Sequence, residues 1–235
     1  MNELLDRFDQ PLPSWIADIK KEAHRKIAGA NFAAACRSGD VTAMRNLILG
    51  VWPFVDIFPK IIIRGSRCLY QRKSFRDREL LNMLIHRGSR VLSSIQQDEE
   101  DHRTLWLNAG SALKANYPID FDREPIPEVR DWIDAVSQTA DPFTMFLRFA
   151  AIEIIAESVS VDFLSSVSFT TALGTRGCEW FRVHAVHDTD LRHEELELRL
   201  GFAFRGQPTK KESNTVIQGV IDLFLMAARA CCELT

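Results

Sequence analysis

A chain of 235 residues with 29 lysines and arginines against 32 aspartates and glutamates carries a net charge of −3, which gives it no general attraction to nucleic acid or to an anionic membrane. That length suits one core and does not demand two, so a single domain over residues 1–235 is expected. Five cysteines (Cys36, Cys68, Cys178, Cys231, Cys232) without C-x-x-C spacing, an amino terminus without a basic-then-apolar leader, and no apolar run near the roughly 20 residues of a bilayer span point to a soluble cytoplasmic protein with reduced thiols.

Residues 1–13 are polar and end in Pro11 and Pro13, so they read as an extended entry segment. Ser14 is placed to cap a first helix, and apolar residues recur at three- and four-residue spacing from Trp15 to Cys36 (Ile16, Ile19, Ala23, Ile27, Ala30, Ala34). Arg37-Ser38-Gly39-Asp40 interrupts the pattern, and Asp40 is a cap for a second helix bearing Val41, Met44, Leu47, Ile48, Val51 and Val55, bent at Pro53. Burial continues through Phe58 and Ile61 to Ile63. Residues 65–78 read as a loop, whose basic cluster (Arg64, Arg67, Arg72, Lys73, Arg76, Arg78) is a solvated face rather than a phosphate track.

A long third helix is predicted from about residue 75 to Leu113, with a break at Gly88. Pro118, Pro125 and Pro127 mark a linker too short to divide domains, and a fourth helix follows from Glu128 to Gln138. Asp141-Pro142 has the order of a cap and a first-turn proline for a fifth helix carrying Phe146, Phe149, Ala150, Glu153 and Glu157. Residues 172–177 read as a turn, a sixth helix as running from Glu179 to about Phe204, and a last helix from about Lys211 to Leu234. Alternating strand patterns are scarce and no repeat occurs, so the fold class is all-α with about seven helices.

Three stretches concentrate the chemistry. In DEEDHRTLW, residues 98–106, Glu99 and His102 lie three apart and therefore share a helix face, which Leu105 and Trp106 continue as an apolar one. Glu153 interrupts the apolar run FAAIEIIAES, and a carboxylate there loses its hydration unless a charge receives it: a metal ion, a salt bridge to Arg148, or a turn of the helix that exposes Glu153 with Glu157. The run from His184 to Glu195 holds His184, His187, Asp188, Asp190 and His193. At 100° per residue a straight helix cannot present all of these to one side, so a bulge between His184 and Asp190 is expected, with the remaining side chains in solvent. Two acid-plus-histidine helices and one buried glutamate are the parts of a carboxylate-bridged di-iron site in a helical bundle.

On these residues the chain resembles the heme-oxygenase-like di-iron oxidases and oxygenases, a family related in fold to thiaminase II, the PQQ-synthesis oxidase and heme oxygenase. The resemblance runs over most of the chain. It is carried by Glu99-Glu100-Asp101-His102 with Leu105-Trp106, by Glu153 in its apolar run, and by Trp180-Phe181-Arg182-Val183-His184 followed by Asp190-Leu191-Arg192-His193-Glu194-Glu195. Fainter signs are His24, Asn31-Phe32, Arg37-Ser38-Gly39-Asp40 and Asp56-Ile57-Phe58-Pro59-Lys60. The family separates its last histidine and aspartate by three residues, whereas five stand between His184 and Asp190.

What the resemblance implies is a heme-oxygenase-like bundle holding two Fe(II) ions on Glu99, His102, Glu153, His184, Asp190 and His193, with His187, Asp188 and Glu157 as alternates. It further implies O2 as co-substrate and oxidation of a small amine- or carboxylate-bearing metabolite in biosynthesis, Arg148 or Arg182 holding a carboxylate. Homodimerisation is an expectation of the resemblance alone. Two other readings stay open: a cofactorless thiaminase-II-like or PQQ-oxidase-like enzyme, with Cys68 or Cys178 in the pocket, and a non-catalytic helical binding protein.

Overall fold

The computed structural model describes residues 10–71, 78–138, 141–185, 192–206 and 208–233, and among them every regular element is an α-helix. In chain order these are α1 (Trp15–Ala28), α2 (Asn31–Ser38), α3 (Val41–Gln71), α4 (Arg78–Ala112), α5 (Pro127–Ser137), α6 (Pro142–Leu164), α7 (Val167–Gly177), α8 (Glu179–Ala185), α9 (His193–Arg205) and α10 (Lys210–Cys232). The all-α expectation holds, with ten helices among the described residues rather than about seven.

The differences in count have local causes. Ala30 is extended (φ −78°, ψ 147°) after Gly29, so the first predicted helix is two. Ser14 precedes α1 in helical conformation and its hydroxyl caps nothing. Gly39, at φ 82°, ends α2 in the left-handed conformation that a side chain disfavours. Asp40 then accepts from the amides of Thr42 and Ala43, both at 3.0 Å. α3 passes through Pro53 and Pro59 and continues to Gln71, so residues 65–71, expected in a loop, are helical. α4 does not break at Gly88, because the missing side chain serves packing: a Cβ there would stand 3.0 Å from Leu69 of α3.

Asp141 caps α6 as expected, accepting from Thr144 N at 3.2 Å. The stretch 172–177 is largely helical, with the change of direction confined to Gly174 (φ 64°, ψ −177°). The helix expected over 179–204 is two, since Arg192 is extended (φ −73°, ψ 148°) ahead of α9. The bulge expected between His184 and Asp190 falls mainly on residues outside the described ones.

α6 is the axis of the bundle. Sixteen of its residues are buried, from Phe143 to Phe163, because α1, α3, α5, α8, α9 and α10 all pack on it. α4 instead packs on α3, α7, α8 and α9 and stands off α6. That separation leaves room between two helices that carry acid side chains. α10 and much of α3 are long and apolar enough to cross a membrane by length and composition, which corrects the sequence reading. Their apolar faces are spent inside the bundle: Met44, Ile48, Phe58 and Ile62 of α3 and Ile217, Ile221, Phe224 and Ala228 of α10 are buried.

Candidate metal centre

α4 brings the first acid and histidine together. Glu99 and His102, one turn apart, are joined by His102 Nδ1 and Glu99 Oε1 at 3.1 Å. One turn further on, Trp106 Nε1 donates to Ile48 O at 2.9 Å, which fixes the rotation of α4 against α3. Trp106 also meets Trp180 of α8 edge-to-face at 4.6 Å, and this contact carries α8 to the same spot. There the His184 ring lies 4.5 Å from that of His102 and 4.0 Å from that of Trp180. One ligand atom from each of Glu99, His102 and His184 falls within 4.8 Å of the others.

The opposite side comes from α6 and α9. Glu153 is buried, and its Oε1 has no hydrogen-bond partner among the described residues. His193, the first residue of α9, places Nδ1 3.8 Å from Glu153 Oε1 and Nε2 3.1 Å from Asp98 Oδ2. Glu197, one turn after His193, is fully buried, and neither of its oxygens has a partner among the described residues.

A charged clamp holds α6 and α9 in register. Lys20 of α1 reaches Glu157 Oε2 at 2.8 Å and Glu194 Oε1 at 2.7 Å, and Arg192 donates to Glu157 Oε1 at 2.8 Å. Glu157 is thus engaged by two cations, which leaves it poorly suited to the alternate-ligand role. Its contribution is to anchor the helix one turn beyond Glu153.

No family model matches the sequence, and no curated protein does. Solved structures do: a TenA homologue from Pseudomonas syringae pv. tomato superposes with a TM-score of 0.74 at 18% identity, over 94% of each chain. The chain has the heme-oxygenase-like fold. A domain of unknown function with a heme oxygenase-like fold from Shewanella denitrificans matches at TM-score 0.65 and 10% identity, covering 95% of this chain and 92% of that one.

On this heme-oxygenase-like scaffold the three histidines are not equivalent. Complete burial, with His102 close by, pulls the pKa of His184 down to about 4, so its ring is neutral. Its Nδ1 lies 2.7 Å from Trp180 O. A carbonyl only accepts, so Nδ1 carries the proton and Nε2 keeps a free electron pair, the arrangement of a metal-ligating histidine with its outer hydrogen bond made. Burial also opposes the cation at His193, but the Glu153, Asp98 and Glu99 carboxylates outweigh it and push the pKa up to about 9. At His102, burial is outweighed in the same way by Glu99, with help from Glu153 and Asp98, and its pKa is raised. Burial, reinforced by Glu153, Glu194 and Glu99, drives the Glu197 carboxyl far up, which favours its neutral form when no cation is bound.

Glu99, Glu153 and His184 also line a cavity of about 60 Å³ between α4 and α6. Its other walls are apolar, with Phe54, Phe58, Trp106, Trp132, Trp180 and Phe181 prominent.

Of the residues expected from sequence, Glu99, His102, Glu153, His184 and His193 converge. His187, Asp188 and Asp190 lie outside the described residues. Arg148 and Arg182 are corrected: Arg148 donates to Gln138 O and Arg182, exposed, to Thr175 O, and neither lines the cavity. Arg148 lies five residues, about 140° of helical turn, from Glu153 and so leaves on another side of α6. Cys178 is buried and likewise absent from the lining; the side chain of Cys68 is outside the described residues. Sequence reasoning missed Glu197, Asp98 and Lys20. Glu197 had a usable signal, its four-residue spacing from His193 on one helix, whereas nothing local to Lys20 foretells its reach across the bundle.

Proposed function

We propose that this protein is a non-heme di-iron, O2-dependent oxidase or oxygenase acting on a small metabolite, with the described residues acting as one domain. The observation that carries the reading is the orphaned carboxylate chemistry. Among the described residues both Glu197 oxygens are buried without a hydrogen-bond partner, and so is Glu153 Oε1, whose nearest cation is His193 Nδ1 at 3.8 Å, beside three histidines of which one is locked as a neutral donor. Burying carboxyl groups this way is costly unless a cation completes them. Three carboxylates and three imidazoles, on α4, α6, α8 and α9, are a donor set suited to Fe(II).

Glu99, His102, Glu153, His184, His193 and Glu197 would hold the metal, Glu197 taking a place the sequence reading gave to Asp190. Iron bound there supplies the activation of O2 that oxidises the substrate. The protein's part is positional. The Trp180 carbonyl fixes the His184 ring, Asp98 faces the outer nitrogen of His193, and Lys20 with Arg192 keeps α6 and α9 aligned. The apolar cavity excludes water from the reacting face.

The test is anaerobic titration with Fe(II) followed by exposure to O2. The expected result is uptake approaching two ions per chain, a rise in thermal stability and a transient visible absorption, all diminished in Glu153→Ala and His193→Ala. No uptake and no change of melting temperature in the parent protein would sink the reading. A cofactorless thiaminase-II-like enzyme shares the fold of the TenA homologue, but its expected cysteine does not line the cavity among the described residues.

A further inference from the structure

The cavity carries information about its ligand that the metal cluster does not. Among the described residues its lining contains no lysine and no arginine, and its only ionisable groups are Glu99, Glu153 and His184, all on the candidate metal face. A substrate carboxylate therefore finds no counter-ion in the cavity walls. Two lining residues hold a buried polar atom without a hydrogen-bond partner among the described residues: Glu153 through Oε1, which the metal reading accounts for, and Trp132 through Nε1. Trp132 sits on α5, which packs on α3, α6 and α10, whereas Glu99 and His184 come from α4 and α8. Its ring is held by stacking on Phe54 at 3.8 Å and by Phe224 at 5.3 Å. A buried indole N–H is ordinarily satisfied, and leaving it bare costs free energy that an acceptor on a ligand would restore.

We infer that the cavity binds a compact neutral molecule whose body is apolar and aromatic or branched, with one uncharged hydrogen-bond acceptor, a carbonyl or ether oxygen, received by Trp132 Nε1. An acceptor held there makes Trp132 a specificity-determining residue. The inference rests on reading this cavity as the substrate site of the proposed oxidase.

Its test uses the metal-free full-length protein and four probes of similar size: acetophenone, isopropylbenzene, benzoate and benzylammonium. Calorimetric titration is expected to give acetophenone an advantage of about five- to tenfold over isopropylbenzene, the size of one net hydrogen bond. Benzoate should bind more weakly than acetophenone, repelled by Glu99 and Glu153, while benzylammonium, which those carboxylates attract in the metal-free protein, is the control that the cavity admits a molecule of this size. In Trp132→Phe the advantage should vanish while isopropylbenzene still binds. If that variant does not fold, the indole N–H resonances of the five tryptophans in the parent protein decide the matter. One should move on adding acetophenone and stay in place with isopropylbenzene. Equal affinity for the neutral pair, an advantage that survives in Trp132→Phe, a preference for benzoate, or no binding of acetophenone overturns the inference. Because no metal is present, failure here with a normal Fe(II) response leaves the oxidase reading standing, and the reverse outcome keeps the ligand class of the cavity but removes its role as an oxidase substrate.

Discussion

Replacing Glu197 by methionine sets stability against metal affinity. This carboxyl is wholly buried, with its pKa pushed well up by burial and by neighbouring carboxylates, and neither oxygen has a hydrogen-bond partner among the described residues. An unpaired polar group in such a place costs about 1–3 kcal/mol by mutational measure, whereas a change to an apolar side chain of similar volume costs under about 1.5 kcal/mol. Glu197→Met should therefore stabilise the metal-free protein by about 1–2 kcal/mol, or about 2–8 °C in melting temperature for a chain of this size. With metal the order reverses. At a hundred times its Kd, a bound ion stabilises the parent fold by about 2.7 kcal/mol, and a hundredfold weaker site would retain only about 0.4 kcal/mol at the same concentration. Melts of both proteins in chelator and in excess Mn(II), a redox-quiet substitute for Fe(II), read the two effects separately. A variant less stable than the parent in chelator, or one with an undiminished metal shift, refutes the reasoning.

Metal uptake should depend on pH. His193, with its pKa near 9, and His102, with its pKa raised, must lose protons to become ligands, while His184 is already neutral. Affinity for Zn(II) should thus rise by about tenfold per pH unit for each proton displaced between pH 6.5 and 8.5, with protons released on binding, and a flat profile argues against these ligands. Without metal the sign is opposite: the raised pKa of His193 stabilises the fold fully below about pH 6.5, and that contribution fades as pH climbs through about 9, which chelator-containing melts will show. Lys20→Met leaves Glu157 and Glu194 facing each other with Arg192 alone between them; it should cost about 1–3 kcal/mol in denaturant unfolding and weaken metal binding, although Lys20 is no ligand. Gly50→Ala would set a Cβ 2.3 Å from Cys231 Sγ, where α3 and α10 cross; a loss of about 1–3 kcal/mol is expected, and an unchanged melting temperature would contradict that crossing.

The parts of the site readable from sequence are those whose evidence is local. Glu99 with His102 is a three-residue spacing, Glu153 a charge in an apolar run, and Asp141-Pro142 a cap with its first-turn proline. The rest depends on how segments meet. Gly88 and Gly29 are the same residue type in similar helical patterns, yet one lets α3 approach α4 and the other caps the C-terminal end of α1. Arg148 and Arg182 were legible only as charges near interesting residues, and the rotation of their helices sends both away from the cavity. Glu197 was obscured by Glu194 and Glu195, which share its charge in a stretch that reads as solvated.

The clamp on Lys20 ties the centre to the order in which the chain is made. Lys20 leaves the ribosome early, yet its partner Glu194 lies 174 residues later, after α8 has supplied His184. α6 can begin to bury its apolar flanks against α1 and α3 during synthesis, with Lys20 already within reach of Glu157, but Glu153 has no facing histidine until α9 arrives. The donors of α4 and α6, Glu99, His102 and Glu153, are therefore made before the histidine of α9, and the full donor set exists only in the finished chain.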